Sequence, residues 1–207
     1  MKKMTNYSYV SFPQLQILKF QLHPNNEVLT RFLENNGKNL KELNLGEDYD
    51  SLNSSIFKFC TYLRKLSAGF KNDELGMLKI VFESCKYLKC IEIYCRGNLL
   101  SEKEALSEIV KYSHENISEI ILHHYYTQST KLLPEELESF IVSWTNYIPQ
   151  RLLFLVIVTN NYCKESLEKS EENIKIINKY IVLGVIKNFK SKDYDYEEHL
   201  KGNIINI

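Results

Sequence analysis

The sequence predicts an α/β fold: a curved solenoid, or horseshoe, with a parallel β-sheet on its concave face and helices on its convex face, built from about six to seven units. Three observations predict it. An apolar skeleton recurs at a short period, each copy is followed by an amphipathic helical stripe, and chain breakers fall between the two. The skeleton is clearest at Leu88-x-x-Ile91-x-Ile93, inside the stretch from Cys85 to Cys95, with apolar residues at offsets 0, +3 and +5. Leu15-x-x-Leu18-x-Phe20, Leu40-x-x-Leu43-x-Leu45, Leu63-x-x-Leu66-x-Ala68, Ile117-x-x-Ile120-x-Leu122 and Leu152-x-x-Leu155-x-Ile157 repeat it, and Tyr180-x-x-Leu183-x-Val185 is a weaker seventh copy. The first positions are separated by 25, 23, 25, 29, 35 and 28 residues. The last two apolar residues of each copy lie on period 2, so they point to one side of an extended strand.

In chain order, Phe12-Pro13-Gln14 leads into a first strand, Leu15 to Leu22, which His23-Pro24-Asn25 breaks. Asn25 or Asn26 caps a helix with its apolar stripe at Val28, Leu29, Phe32 and Leu33. Asn35-Asn36-Gly37 stops that helix, with Gly37 available for a left-handed cap, and the second strand comes next at Leu40 to Leu45. Asp50 or Ser51 starts a helix whose inward face is Leu52, Ile56, Phe59 and Cys60. Leu63 to Ala68 is strand three. Asp73 caps a helix with Leu78, Val81, Phe82 and Cys85 inside. Ser101 and Glu104 have the spacing of a capping box, followed by Ala105, Leu106, Ile109 and Val110. Strand five is Ile117 to Leu122. Pro134 suits a first helical position, ahead of Leu137, Phe140, Ile141 and Trp144. Ile148-Pro149-Gln150 ends this helix, and strand six is Leu152 to Val158. A last helix is expected over about Lys164 to Lys179, with Ile174, Ile176 and Ile177 apolar, and a seventh strand at Ile181 to Ile186. No unit can bury its own apolar side, so stacking is what makes a core.

The bulk numbers bound the rest. Seven glycines and four prolines leave little linker-like sequence, so one domain is expected. Residues 1–11 read as a lead-in, 12–186 as the repeat array and 187–207 as a polar tail or cap that either frays or covers the end of the array. Lys+Arg 26 against Asp+Glu 26 leaves no net positive field to hold nucleic acid or anionic lipid by charge alone. The longest apolar run, Leu152 to Val158, is far short of the roughly 20 residues of a membrane helix. The N-terminus has lysines but no apolar segment after them, unlike a secretory signal. Five cysteines without a disulfide framework suit reduced thiols in cytoplasm or nucleus.

Cys60-Thr-Tyr-Leu63 and Cys85-Lys-Tyr-Leu88 each place a cysteine three residues before the first leucine of a copy. Together with Leu-x-x-Leu-x-Leu, this resembles the cysteine-containing class of leucine-rich repeat found in F-box/leucine-rich-repeat proteins. Phe-Pro-x-Leu-x-x-Leu at Phe12 to Leu18 and Gly184-Val-Ile-Lys-Asn-Phe189 near the end resemble the large fungal set of such proteins. The resemblance spans roughly residues 12 to 190. It implies the substrate-recognition part of a cullin–RING (SCF-type) ubiquitin ligase. Other junctions depart from the pattern, with Gly37, His114 and Pro149 at the cysteine position. No F-box is recognisable ahead of the first copy, so this chain is expected to be a repeat module that does not dock on a Skp-type adaptor by itself.

Candidate chemistry is sparse. Cys85, Cys90 and Cys95 are spaced by five, whereas structural zinc favours closer pairs, and buried apolar thiols are the better account of Cys60 and Cys85. His123 and His124 fall on opposite faces of a strand and so cannot jointly chelate. Cys163 has no adjacent histidine, and no glycine-rich phosphate loop occurs. Hence no metal, no cofactor and no catalytic set is expected. Tyr62 and Tyr87 hold the same place in successive copies, which predicts packing between neighbouring units.

What remains is the concave face. Alternation sends Lys19, Glu42, Asn44, Lys65, Ser67, Glu92, Tyr94, Glu119, Ile121, His123, Phe154 and Val156 away from the core, and these are the expected partner-binding residues. Early copies offer polar groups and later ones an apolar, aromatic patch, which either binds a protein or lies under the tail or the loop from Tyr125 to Leu133. Glu92→Ala is expected to leave stability nearly unchanged, and Ile91→Asp or Leu66→Asp to unfold the array. The function expected is non-catalytic protein binding, with a ubiquitination substrate as the partner. A stand-alone scaffold or decoy is the alternative, and an enzyme with a site in the concavity the remote one.

Overall fold

The computed structural model describes residues 9–20, 25–46, 55–74, 76–95, 97–124, 131–146, 152–160 and 162–194. Seven strands form one parallel sheet in sequence order: β1 (Ile17–Lys19), β2 (Glu42–Asn44), β3 (Lys65–Gly69), β4 (Cys90–Tyr94), β5 (Glu119–His124), β6 (Leu153–Thr159) and β7 (Ile186–Asp193). Strands β1 and β7 are its two edges, so the sheet does not close into a barrel. Between the strands run α1 (Asn26–Asn36), α2 (Ser55–Phe59), α3 (Gly76–Ser84), α4 (Glu102–Tyr112), α5 (Pro134–Thr145) and α6 (Glu171–Val182), each packed on the next.

Register turns the skeleton into continuous files. Leu18, Leu43, Leu66, Ile91, Ile120 and Leu155 are successive cross-strand partners, all buried. Ala68, Ile93, Leu122 and Ile157 make the next file. Each buried Leu or Ile is worth about 1.5–3 kcal/mol, so the files and the inward helix residues Leu29, Phe32, Leu33, Leu78, Val81, Phe82, Leu137, Ile141 and Trp144 carry the fold. Three of the predicted helix starts are present, whereas Asp73 lies inside a 3-10 turn, Asn72–Glu74, and α3 begins only at Gly76. Asn25 accepts from Glu27 and Val28 amides, Ser101 and Glu104 form a reciprocal capping box, and Pro134 opens α5.

The cysteine position has a mechanical role. The Cys85 thiol donates to the Cys60 carbonyl at 3.4 Å, and His114 Nε2 lies 3.0 Å from the Cys85 carbonyl. Each side chain thus reaches a carbonyl left over at the helix end of the preceding unit. Gly37, one unit earlier, is not the left-handed cap expected: its φ is −59°. A Cβ there would stand 2.8 Å from the Phe59 carbonyl oxygen, so close approach of backbones is what excludes a side chain.

Three further expectations are corrected. The weak seventh copy is not a strand: Tyr180 lies on α6, Leu183 is its C-cap and Val185 precedes β7. Gly184 at φ +73° ends the helix, with Gly184 N donating to Ile181 O and Val185 N to Tyr180 O, both at 3.0 Å. The strand therefore begins at Ile186 and takes up the first part, 187–193, of the supposed tail. In the sixth copy Leu152 is exposed and Leu153 is buried in its stead, next to a register shift between Leu153 and Phe154. Helix α6 starts at Glu171 rather than Lys164, because a 3-10 turn occupies Leu167–Lys169 and Ser170 is the N-cap of the helix. The predicted start of α2 at Asp50 or Ser51, and the loop residues 125–130, lie outside the described residues.

Candidate functional site

Among the described residues one sheet face carries no helix, and register arranges its side chains in three rows. The first runs Ile17, Glu42, Lys65, Cys90, Glu119, Phe154 and Asn188; the second Lys19, Asn44, Ser67, Glu92, Ile121, Val156 and Lys190. The third is Gly69, Tyr94, His123, Val158 and Lys192. All twelve expected binding residues fall in these rows. Lys19, Glu42, Asn44, Lys65, Glu119, Ile121 and Phe154 are half-buried there.

The others are not free. Tyr94 is 1% exposed, and Ser67, His123 and Val156 are also buried. Tyr94 packs with Leu99 from the loop after β4, with Val158, and with Tyr194 just beyond β7. Tyr194 is held there by its amide, which donates to the Thr159 carbonyl at 2.7 Å. The apolar third row is therefore largely covered by the chain itself, and Tyr94 and His123 are set against each other at 4.6 Å between ring centres.

Glu92 sits at the centre of what remains. One carboxylate oxygen accepts from Ser67 Oγ at 2.6 Å and lies 3.0 Å from Lys65 Nζ; the other is bonded to His123 Nε2. The histidine is the diagonal neighbour, two residues past Ile121, which is Glu92's register partner. Burial opposes ionisation of Glu92. The hydrogen bond and charge of His123, then the charge of Lys65 and the Ser67 hydroxyl, outweigh it and hold the carboxyl well below the usual carboxylate range. Burial also works against Lys65, and the Glu92 carboxylate overcomes it to raise the ammonium's pKa. Glu92 is thus a fixed, neutralised anion, which corrects the expectation of a dispensable surface side chain.

Towards β1 the face is open and polar. Lys19, Glu42, Asn44, Lys65 and Ser67 line a depression of about 30 Å³, room for roughly one water and far below a small-molecule pocket. At the other end, Lys187 Nζ stands 5.4 Å above the Phe154 ring.

The thiols add no reactive group to this face, although Cys90 stands in its first row. All five thiols are buried and unbridged. Burial pushes the Cys85 thiol up to about 12 and raises Cys60, Cys90, Cys95 and Cys163 as well, so none is a ready nucleophile at neutral pH. Among the described residues no three His, Cys, Asp or Glu groups are placed to hold a metal ion. Among them, too, no helix is long and apolar enough to cross a membrane. No family model matches the chain, and no curated protein matches it.

Cover of the later patch by the tail was one of the two outcomes the sequence left open, and Tyr194 supplies it; the signals that sequence reasoning missed were Leu99 and the Glu92–His123 diagonal. The diagonal is readable only once the register of β4 against β5 is known.

Proposed function

We propose that the chain is a leucine-rich-repeat protein-recognition module, curved towards its helix-free sheet face, which binds a protein partner there without catalysis. The observation that carries this reading is the row of half-buried polar and apolar side chains, from Lys19 and Asn44 to Ile121 and Phe154, held on a rigid sheet but outside the core. Such positions vary at little cost to stability, which suits a recognition surface. The parallel sheet in sequence order supports stacking of like units, and the Cys60–Cys85 junction supports the F-box-type resemblance, from which His114 departs. On that reading the partner is a ubiquitination substrate, and the reduced thiols fit the cytoplasm or nucleus.

Site-specific photo-crosslinking tests it. A photoreactive residue at Asn44 is expected to capture a defined protein that the same residue at Lys79, on the outer helix α3, does not. Capture of the same proteins from both positions, or of none, overturns the reading. Ubiquitination of the captured protein by a reconstituted ligase when an F-box is fused ahead of the chain, and not without it, separates the ubiquitin-ligase reading from a stand-alone scaffold.

A further inference from the structure

At the edge where the strands begin, the chain departs from the even charge balance of its composition. One position after the first skeleton residue stand Gln16, Lys41, Arg64, Lys89 and Ser118. They form one file in space, because each amide donates to the preceding carbonyl: Lys41 to Gln16 and Arg64 to Lys41 at 2.7 Å, Lys89 to Arg64 at 2.8 Å, Ser118 to Lys89 at 3.0 Å. Neighbouring strands lie about 4.8 Å apart. Three cations therefore stand side by side, an arrangement that is destabilising in isolation.

The position before the skeleton residue adds Tyr62 and Tyr87. Their rings stack at 5.4 Å and 19°, yet they are 48% and 56% exposed. Lys41 Nζ lies 5.2 Å from the centre of the Tyr62 ring. Lys38 and Lys86, two positions before the first skeleton residue of units two and four, are both exposed. Among the described residues none of Lys38, Lys41, Arg64, Lys86 or Lys89 has an ion pair, whereas Lys65 on the open face is matched by Glu92. The run stops at the fifth unit, where the same positions read Glu115, Asn116 and Ser118. The positive, aromatic stripe is confined to units two to four.

We propose that this strand-entry edge is a second docking surface, separate from the open sheet face, which takes an acidic segment of a protein. Carboxylates of the segment neutralise Lys41, Arg64 and Lys89, and its apolar side chains lie on the exposed rims of Tyr62 and Tyr87. Mutual repulsion of the three cations is relieved when the anion covers them. A single-stranded nucleic acid is the weaker fit. Base stacking needs free ring faces, and the Tyr62 ring is already engaged by both Lys41 and Tyr87.

The test is fluorescence anisotropy at low salt with the whole chain and a fluorescein-labelled Glu/Asp decapeptide carrying a central Leu-Phe pair. Oligothymidine of similar length is the competing probe. The peptide is expected to bind saturably. Arg64→Ser/Lys89→Ser and Tyr62→Ala are each expected to weaken it about tenfold or more, a difference of about 1.4 kcal/mol; Glu119→Gln on the open face leaves it unchanged. The Arg64→Ser/Lys89→Ser chain melts no lower than wild type, because a repulsion has been removed; Lys38→Ser/Lys86→Ser is a second variant for the same loss of binding. Absence of peptide binding, equal binding by the variants, or tighter binding of oligothymidine overturns the proposal.

Discussion

Glu102 and His124 meet in the interior, Oε1 to Nδ1 at 3.2 Å, with both side chains fully shut off from solvent. Glu102 is the first residue of α4, where the helix dipole favours an anion. The same oxygen accepts from the Leu167 amide at 3.4 Å, so the carboxylate ties β5, α4 and the turn before α6. Its second oxygen has no partner among the described residues. Removing Glu102 deprives both the buried His124 and the Leu167 amide of this acceptor. Glu102→Ala is expected to cost about 2–4 kcal/mol in urea unfolding. Glu102→Leu/His124→Leu is expected to recover much of that loss, because neither polar group then remains. A single-variant cost below about 0.5 kcal/mol would sink the assignment of this pair as a lock on the C-terminal units.

Glu92 yields a pH prediction. Its carboxyl is held below the ordinary range in the folded chain, so its contribution to stability is fully present above the unfolded value, roughly 4.3. That contribution is lost as pH falls below this value towards the folded one. Glu92→Ala at neutral pH leaves Lys65 and His123 facing each other without the anion between them, at an expected cost of about 1–3 kcal/mol. The gap in thermal midpoint between wild type and Glu92→Gln is expected to narrow as pH is lowered from 5 to 3. A constant gap across that window counts against the network.

How much of this was readable beforehand differs by element. The core files were, because period 2 within a strand and period 3.6 along a helix are local properties of the chain. Ser101 with Glu104 was readable for the same reason. Tyr180, Leu183 and Val185 misled, since apolar residues at 0 and +3 are as helical as they are extended; Gly184 was the overlooked stop signal. Leu152 and Leu153 differ only by which one the register admits to the core. On the candidate site, the rows came directly from alternation. For Tyr94 the sequence left two outcomes, a free patch or cover by the tail, and could not decide between them because Tyr194 lies a hundred residues further along the chain.

The thiols give a chemical check on the packing. With Cys85 pushed up to about 12 and Cys60, Cys90 and Cys95 raised by burial, the neutral thiol is the folded form. The stability this contributes is present at neutral pH and lost only as pH climbs past the ordinary thiol value, roughly 8.5. Alkylation at mildly alkaline pH is expected to leave these four unlabelled in the native chain and to label all five after denaturation. Mass spectrometry of the native digest reads the result, and fast labelling of Cys60 or Cys85 would contradict their place in the junction ladder.

Two glycines separate conformational strain from steric contact. Gly184 has φ +73° with open space where a Cβ would point, so Gly184→Ala meets only the left-handed backbone cost, about 1 kcal/mol. Gly37 has an ordinary φ, but its added Cβ would press on the Phe59 carbonyl at 2.8 Å and the Cys60 sulfur at 3.0 Å. Both neighbours belong to the next unit, and one is backbone that cannot turn aside. Gly37→Ala therefore forces the first two units apart and is expected to cost more than Gly184→Ala, about 2 kcal/mol or above. Pairing Gly37→Ala with Cys60→Ala, which removes the sulfur but leaves the carbonyl, is expected to recover only part of the loss. Full recovery in the double variant would show that the sulfur alone fills the space, and that the backbones of the two units are less closely apposed than the 2.8 Å approach implies.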